Sequence, residues 1–206
     1  MVEQAIRDFM MILVTVDPIG TLSIFVPITG NIPEKERFKV AKRAVLFSGF
    51  ILFAFIIVGQ IVLSYIGVNL VSFQLAGGII LFLFSLQMVF GTVISPNEKG
   101  PEPDHDPAIF PLAIPSIASP GSIMAVVLLT DNNVQSYTDQ GITALMLLLV
   151  LIITLVILKL ANPIHRLIGN AGSNIMIRVM GLILAALATQ QIIEGLEKVL
   201  GSHNLI

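Results

Sequence analysis

Six runs of about 20 mostly apolar residues, separated by polar connectors, decide what this chain can fold into, because that is the length a helix needs to cross the ~30 Å hydrocarbon core of a bilayer. They cover about 9–29, 44–66, 71–94, 108–130, 141–161 and 175–197. Of the 206 residues, 55% are hydrophobic and 12% charged, too few charges for an ordinary soluble domain. In lipid every backbone polar group must bond within the protein, so runs of this kind read as helices. The expected fold is all-α, a polytopic membrane protein with six transmembrane helices.

Two of the runs are interrupted. The first contains Asp17-Pro18-Ile19-Gly20-Thr21 near its middle. A carboxylate there costs about 2.5–3.5 kcal/mol on insertion scales, and Pro18 removes a backbone donor and clashes with the preceding turn. Such backbone is tolerated only where it faces protein or a water-lined cavity. Either Asp17 is a satisfied group in a packed kink, or the break builds a transport or ligand site. The fourth run is interrupted by Pro111, Pro115 and Pro120-Gly121, with Ser116, Ser119 and Ser122 among the breaks.

The connectors set the orientation. Lys35, Arg37, Lys39, Lys42, Arg43, Lys99, Lys159, Arg166 and Arg178 fall on one side, against Arg7 and Lys198 on the other. The excess places connectors 1–2, 3–4 and 5–6 in the cytoplasm and both termini outside, with Tyr65 and Tyr137 at the outer interface. Pro33 and the acids after it fit the opening of the second helix, and Asp106-Pro107 fits the N-cap and first position of the fourth. Asn162-Pro163 ends the fifth run, and 169–174 reads as a link to the sixth. Asp104-His105-Asp106, in the proline-rich and acidic stretch 95–107, suits a solvated loop better than a metal site. The chain has no Cys, which excludes thiol catalysis and disulfides. No signal peptide is recognisable, and no basic arm points to a nucleic-acid partner.

The chain also resembles itself. Gly78-Ile79-Ile80-Leu81 and Gln87 match Gly181-Leu182-Ile183-Leu184 and Gln190 at an offset of 103 residues. Ile66-Gly67 matches Ile168-Gly169, and Asp17-Pro18 matches Ser119-Pro120, both at 102. The division is a first three-helix repeat over 1–94, a cytoplasmic polar linker over 95–107 and a second repeat over 108–206. Three spans per copy make the second copy inverted, the internal symmetry of many secondary transporters, whose paired broken helices meet near the midplane. Helices 1 and 4 are then the discontinuous pair. Amides opening the half-helices after Pro18 and Pro120 could hold a substrate carboxylate, helped by the hydroxyls of Thr21, Ser119 and Ser122. Gly20 and Gly121 follow the two prolines. Asp17 could accept an ammonium group, a proton or a cation. Gln87 and Gln190 either line the same cavity or bond helix to helix. Gly77, Gly78 and Gly181 read as close-packing positions, and Glu194 as interfacial.

Asp17-Pro18-Ile19-Gly20-Thr21-Leu22-Ser23-Ile24-Phe25, the stretch from Pro111 to Gly121, and Arg178-Val179-Met180-Gly181-Leu182-Ile183-Leu184 resemble the MarC family, in particular its YhgN-like branch. The likeness covers essentially the whole chain. It implies a six-span prokaryotic inner-membrane protein with duplicated halves, some of whose members, the SnatA-like proteins, transport small neutral amino acids such as glycine and alanine. Other branches carry Asn where this chain has Asp17, and many relatives carry Gly where it has Ser119. The leading expectation is a secondary transporter of small neutral amino acids working by alternating access, with no cofactor beyond a coupling proton or Na+. Its partners are a small-molecule substrate and the bilayer, and homo-oligomerisation is open. The alternatives are an exporter of another small metabolite or drug, and a channel or structural component. An intramembrane enzyme ranks last, since no nucleophile–base pair or paired carboxylates are evident within the spans.

Overall fold

Proline and glycine punctuate the helices of this computed structural model, which describes residues 2–30, 32–90 and 106–203. Helix α1 (Val2–Val16) stops at Asp17, whose φ of 46° lies in the left-handed region that Asp enters more readily than most residues. Helix α2 (Pro18–Ile28) follows at once, and the two continue as one span over Val2–Val26. Helix α3 (Glu34–Tyr65) opens behind Pro33 with Glu34 and Glu36 in its first turn, which favours the positive end of the helix dipole. Its 32 residues make it about 48 Å long, so its charged beginning, from Glu34 to Arg43, projects beyond the ~30 Å core. Helix α4 is Leu70–Phe90; residues 91–105, which include most of the expected linker and Asp104-His105, lie outside the described residues.

The fourth span begins as expected, with Asp106 Oδ1 accepting the Ala108 N–H at 3.0 Å ahead of the next element. Asp106 also pairs with Arg43 of α3. Ala108–Ile117 is a wide, π-type helical segment with extended backbone at Phe110 (φ −124°) and Ile114 (φ −128°). Each precedes a proline, Pro111 or Pro115, and a residue in that position is pushed out of the helical region. The Phe110–Pro111 and Ile114–Pro115 peptides are cis. After Ser119 comes helix α5 (Pro120–Leu129), bent 53° from the preceding segment. Helix α6 is Tyr137–Lys159, opened by a capping box between Ser136 and Asp139. Helix α7 (Ala161–His203) corrects one expectation: the stretch 169–174 is helical, apart from a break at Gly169 (φ 66°, ψ 178°), a conformation that only glycine adopts without strain. One glycine is enough to re-aim the chain without a loop.

Among the described residues five helical stretches are long and apolar enough to cross a membrane, and the bent pair Ala108–Ile117 and Pro120–Leu129 supplies a sixth. Their outward faces are apolar, with Phe50, Ile57 and Leu182 all exposed, as lipid-facing surface requires. The principal packings come in exchanged pairs. Helix α1 packs on α6 as Ala108–Ile117 packs on α3, and α2 packs on α7 as α5 packs on α4. Helix α2 meets α6 as α5 meets α3, and α1 meets α5 as α2 meets Ala108–Ile117. Exchanging the first three spans for the last three returns the same principal pairings, which is compatible with a duplicated architecture.

The loops after the broken spans repeat the relationship. Near the end of α3, Gln60 holds the loop after α5, donating to Asp131 Oδ1 (3.0 Å) and accepting from the Asn132 N–H (2.9 Å). Asn162, 102 residues on, holds the start of α3 after the α2 loop, accepting from Arg37 (2.9 Å) and donating to Glu34 (2.7 Å). Among the described residues two apolar clusters fill the interior. The larger joins α1, α2, α3, Ala108–Ile117, α5 and α6 around Ile12, Val16, Leu52, Leu112 and Leu147. The smaller joins α4, α5 and α7 around Leu81, Met88, Met124 and Leu184. The broken spans lie between the α3–α6 and α4–α7 pairs.

Candidate functional site

The two breaks share a capping contact, although Asp17 is left-handed (φ 46°) where Ser119 is extended (φ −74°, ψ 159°). In each, a short polar side chain leaves the helix, a proline takes the first position of the next, and the polar oxygen turns back onto the amide three residues on. Asp17 Oδ1 accepts the Gly20 N–H at 3.0 Å, and Ser119 Oγ accepts the Ser122 N–H at 3.0 Å. Asp and Ser are favoured N-caps, and proline is favoured at the next position because it has no donor to leave unsatisfied. Gly20 is required by its neighbour, since a Cβ there would collide with the Asp17 carboxylate.

Hydroxyls then stitch the two breaks together. Thr21 Oγ1 and Ser116 Oγ lie 2.9 Å apart, joining α2 to the segment before the second break. Ser119 Oγ also lies within donating distance of the Thr15 carbonyl (3.3 Å), one of the last carbonyls of α1, which the break leaves without a helical partner. Ser122 Oγ donates to the Ile117 carbonyl at 2.8 Å, relieving the corresponding end of the other span. Asp17, Thr21, Ser119 and Ser122 are all buried.

A half-open cleft of about 260 Å³ lies against the second break. Its walls are Ile80, Leu81, Leu83, Phe84 and Gln87 of α4 with Pro115, Ser119, Pro120 and Gly121. Of the first-turn amides of α5, Ser122 N–H is capped by Ser119 Oγ and Ile123 N–H is bonded to the Ser119 carbonyl at 2.9 Å. Gly121 N–H, at the cleft wall, is the first-turn donor that the described residues leave over.

The residues singled out from the sequence thus divide. Gln87, Ser119, Pro120 and Gly121 line the cleft. Asp17, Pro18, Gly20, Thr21 and Ser122 lie buried within the joined breaks, outside its lining. Gln190 is exposed on α7 and donates to Glu194 Oε1 at 2.9 Å. The expected open amides are only partly so, because Asp17 and Ser119 already occupy the Gly20 and Ser122 donors. Gly77, Gly78 and Gly181 are close-packing positions as expected: a Cβ on any of them would come within 3.0 Å of a neighbouring helix.

Two polar clusters escaped the sequence reading. Asp8 of α1 is fully buried and accepts a hydrogen bond from Thr143 Oγ1 of α6 at 2.7 Å. Arg7, beside it, reaches Asp8 Oδ1 at 3.4 Å. Gln74 of α4 donates to Gln191 Oε1 of α7 at 2.8 Å and accepts from Lys198 at 3.1 Å.

Six apolar spans, two of them interrupted and joined at polar breaks, define an integral membrane protein with a small cleft among its helices. The profile of the MarC family integral membrane proteins matches residues 2–200, and this chain belongs to that family. It is similar to two UPF0056 membrane proteins of Methanocaldococcus jannaschii. One is 32% identical over 98% of this chain and 89% of its own length, the other 37% identical over 93% and 95%. It is also similar to the UPF0056 inner membrane protein YhgN of Escherichia coli K12, 32% identical over 94% of this chain and 96% of that protein. No solved structure matches it.

Proposed function

We propose that this protein is a secondary transporter that moves small neutral amino acids, of about the size of glycine and alanine, across the cytoplasmic membrane. The observation that carries the reading is the pair of capped helix breaks meeting between two helix pairs, with a cleft at one of them. At about 260 Å³ the cleft falls just below the ~300–1,000 Å³ of pockets for drug-sized ligands, which suits a small solute. A substrate carboxylate would approach the Gly121 amide, at the positive end of α5, beside Ser119 and the side-chain amide of Gln87. Asp17 would supply negative charge for an ammonium group, a coupling proton or a cation.

Alternating access would come from two inverted halves, 1–94 and 108–206 joined by 95–107, which the exchanged packings support. The cationic connectors support a cytoplasmic location for linkers 1–2, 3–4 and 5–6, and the name of YhgN supports the inner membrane. In this reading the protein is not an enzyme and needs no cofactor beyond the coupling ion. Uptake of glycine, alanine and serine into proteoliposomes, under a proton and then a sodium gradient, tests it. Uptake that saturates with substrate is expected. Its absence for all three under both gradients removes the proposal. Thermal stabilisation in a screen of other small metabolites, but not these amino acids, would redirect it to a different substrate, because a true ligand stabilises the state it binds.

A further inference from the structure

We infer that the protein has a second cleft at the first break, suited to an ammonium group, mirror-related to the carboxylate-facing cleft at Pro120 and closed in this structure, and that the two open in alternation. The inference rests on the transporter reading above and names the other half of its site.

The two breaks share the proline and the capping contact but differ in exposure. Asp17 and Gly20 correspond to Ser119 and Ser122 at the same offset of 102, and both caps are made. Yet Pro120 is exposed, whereas its counterpart Pro18 is buried. The chain bends by 53° at the second break, while across the first it continues as one span. Equivalent pieces are thus held in two different arrangements within one molecule.

The wall for a second cleft is already present. Shifted by 103 residues, Ile80, Leu81, Phe84 and Gln87 become Ile183, Leu184, Leu187 and Gln190, three of the four unchanged in type. These lie on α7, which packs on α2 as α4 packs on α5. The third and sixth spans cross the membrane in opposite directions, so the same stretch on each faces opposite sides. Gln190, bonded to Glu194 here, would exchange that partner for the ligand.

The caps make the two clefts chemically unequal. Where the Pro120 cleft is lined by Ser119 and Gly121, its mirror would carry Asp17 and Ile19 at the corresponding positions. With Ile19 in place of Gly121 and Asp17 in place of Ser119, the second cleft would be narrower and would carry a carboxyl group. It suits a small solute bearing an ammonium group, while the first suits the carboxylate of the same zwitterion.

The chain has no cysteine, so single cysteines report cleanly. Phe84→Cys and Leu187→Cys, with Ile183→Cys as a second position on α7, would be made in the full-length protein. Labelling would use a membrane-impermeant thiol reagent in vesicles of both orientations, with and without saturating alanine. Reaction requires the thiolate and therefore water, which distinguishes an open cleft from lipid. The expected result is that Phe84→Cys reacts from one membrane face and the α7 cysteines from the other. Alanine should change the two rates several-fold in opposite directions. Both α7 cysteines staying unreactive while Phe84→Cys reacts and alanine exchange persists would overturn the inference and leave the transporter reading intact. Reaction at both positions from the same face would overturn it equally. Opposite-face labelling that alanine leaves unchanged would overturn the alternation, and the absence of alanine exchange beside it would remove the amino-acid reading as well.

Discussion

Gly78 and Gly181 pack against each other's helices through equivalent neighbours. A Cβ on Gly78 would lie 2.9 Å from Ile192 Cγ1 and 3.3 Å from the Ala188 carbonyl oxygen. A Cβ on Gly181 would lie 3.0 Å from Val89 Cγ2 and 3.1 Å from the Ser85 carbonyl oxygen. Adding 103 to 78, 85 and 89 gives 181, 188 and 192. Between helices in lipid there is no hydrophobic drive beyond that toward the tails, so close backbone approach at such positions carries the packing of α4 on α7.

Substitution at either glycine should therefore be costly. Gly78→Ala and Gly181→Ala are each expected to destabilise by about 1–3 kcal/mol, the usual range for overpacking, and by similar amounts. Gly141→Ala, within α6 with nothing inside 4 Å of the new Cβ, should be neutral or stabilising by about 0.5–1 kcal/mol. Thermal denaturation in detergent compares the three.

The caps can be tested separately from transport. Asp17→Ala and Ser119→Ala each remove the acceptor for an amide of a buried half-helix, and a loss of about 1–2 kcal/mol is expected for each. Asp17→Asn should cost less, because Asn both caps and enters the left-handed region that the φ of 46° demands. An order of stability with Ala above Asn at position 17 would contradict the capping role.

Thr21 and Ser116 provide a direct link between the broken spans. Thr21→Val and Ser116→Ala should each destabilise, and the double variant should lose less than the sum of the two. The coupling expected for a hydrogen bond between membrane helices is about 0.6 kcal/mol, up to ~1.7 kcal/mol. Strict additivity in the four-protein cycle would mean that the 2.9 Å contact carries no energy.

Asp8 is buried with Thr143 as its hydroxyl donor. Thr143→Val keeps the side chain's shape and removes that donor, and should cost about 1–3 kcal/mol, the usual penalty for leaving a buried polar group without its partner. Thr143→Ser should restore most of it. Equal melting temperatures for Thr143→Val and the parent would show that Asp8 is satisfied without this bond.

The breaks were visible in the sequence because proline and a polar residue inside an apolar run have few meanings in lipid. The capping went unread, although Asp17-Pro18 and Ser119-Pro120 have the same form as Asp106-Pro107, which was read as a cap. What the expectation of open amides overlooked is that a capping residue consumes a donor of its own helix. Asp8 was hidden by its place beside Arg7 at the start of the first run, where a charge reads as interfacial; only the packing of α1 on α6 buries it. The internal repeat paired Gln87 with Gln190, but the buried amide pair is Gln74 with Gln191. One residue along a helix is about 100° of rotation, enough to move a side chain from one face to another. Gly169 looked like part of a loop because its neighbours are small and polar, whereas a single positive φ within continuous helix does the same turning.

The central claim is that the capped breaks and their cleft bind and carry a small neutral amino acid. Counterflow tests it most directly: purified protein in proteoliposomes preloaded with unlabelled alanine, with radiolabelled alanine added outside and no ion gradient. The account predicts transient accumulation of label that saturates with external alanine and is competed by glycine and serine. No accumulation above protein-free liposomes with any of the three, from protein shown to be folded by its thermal transition, would contradict it.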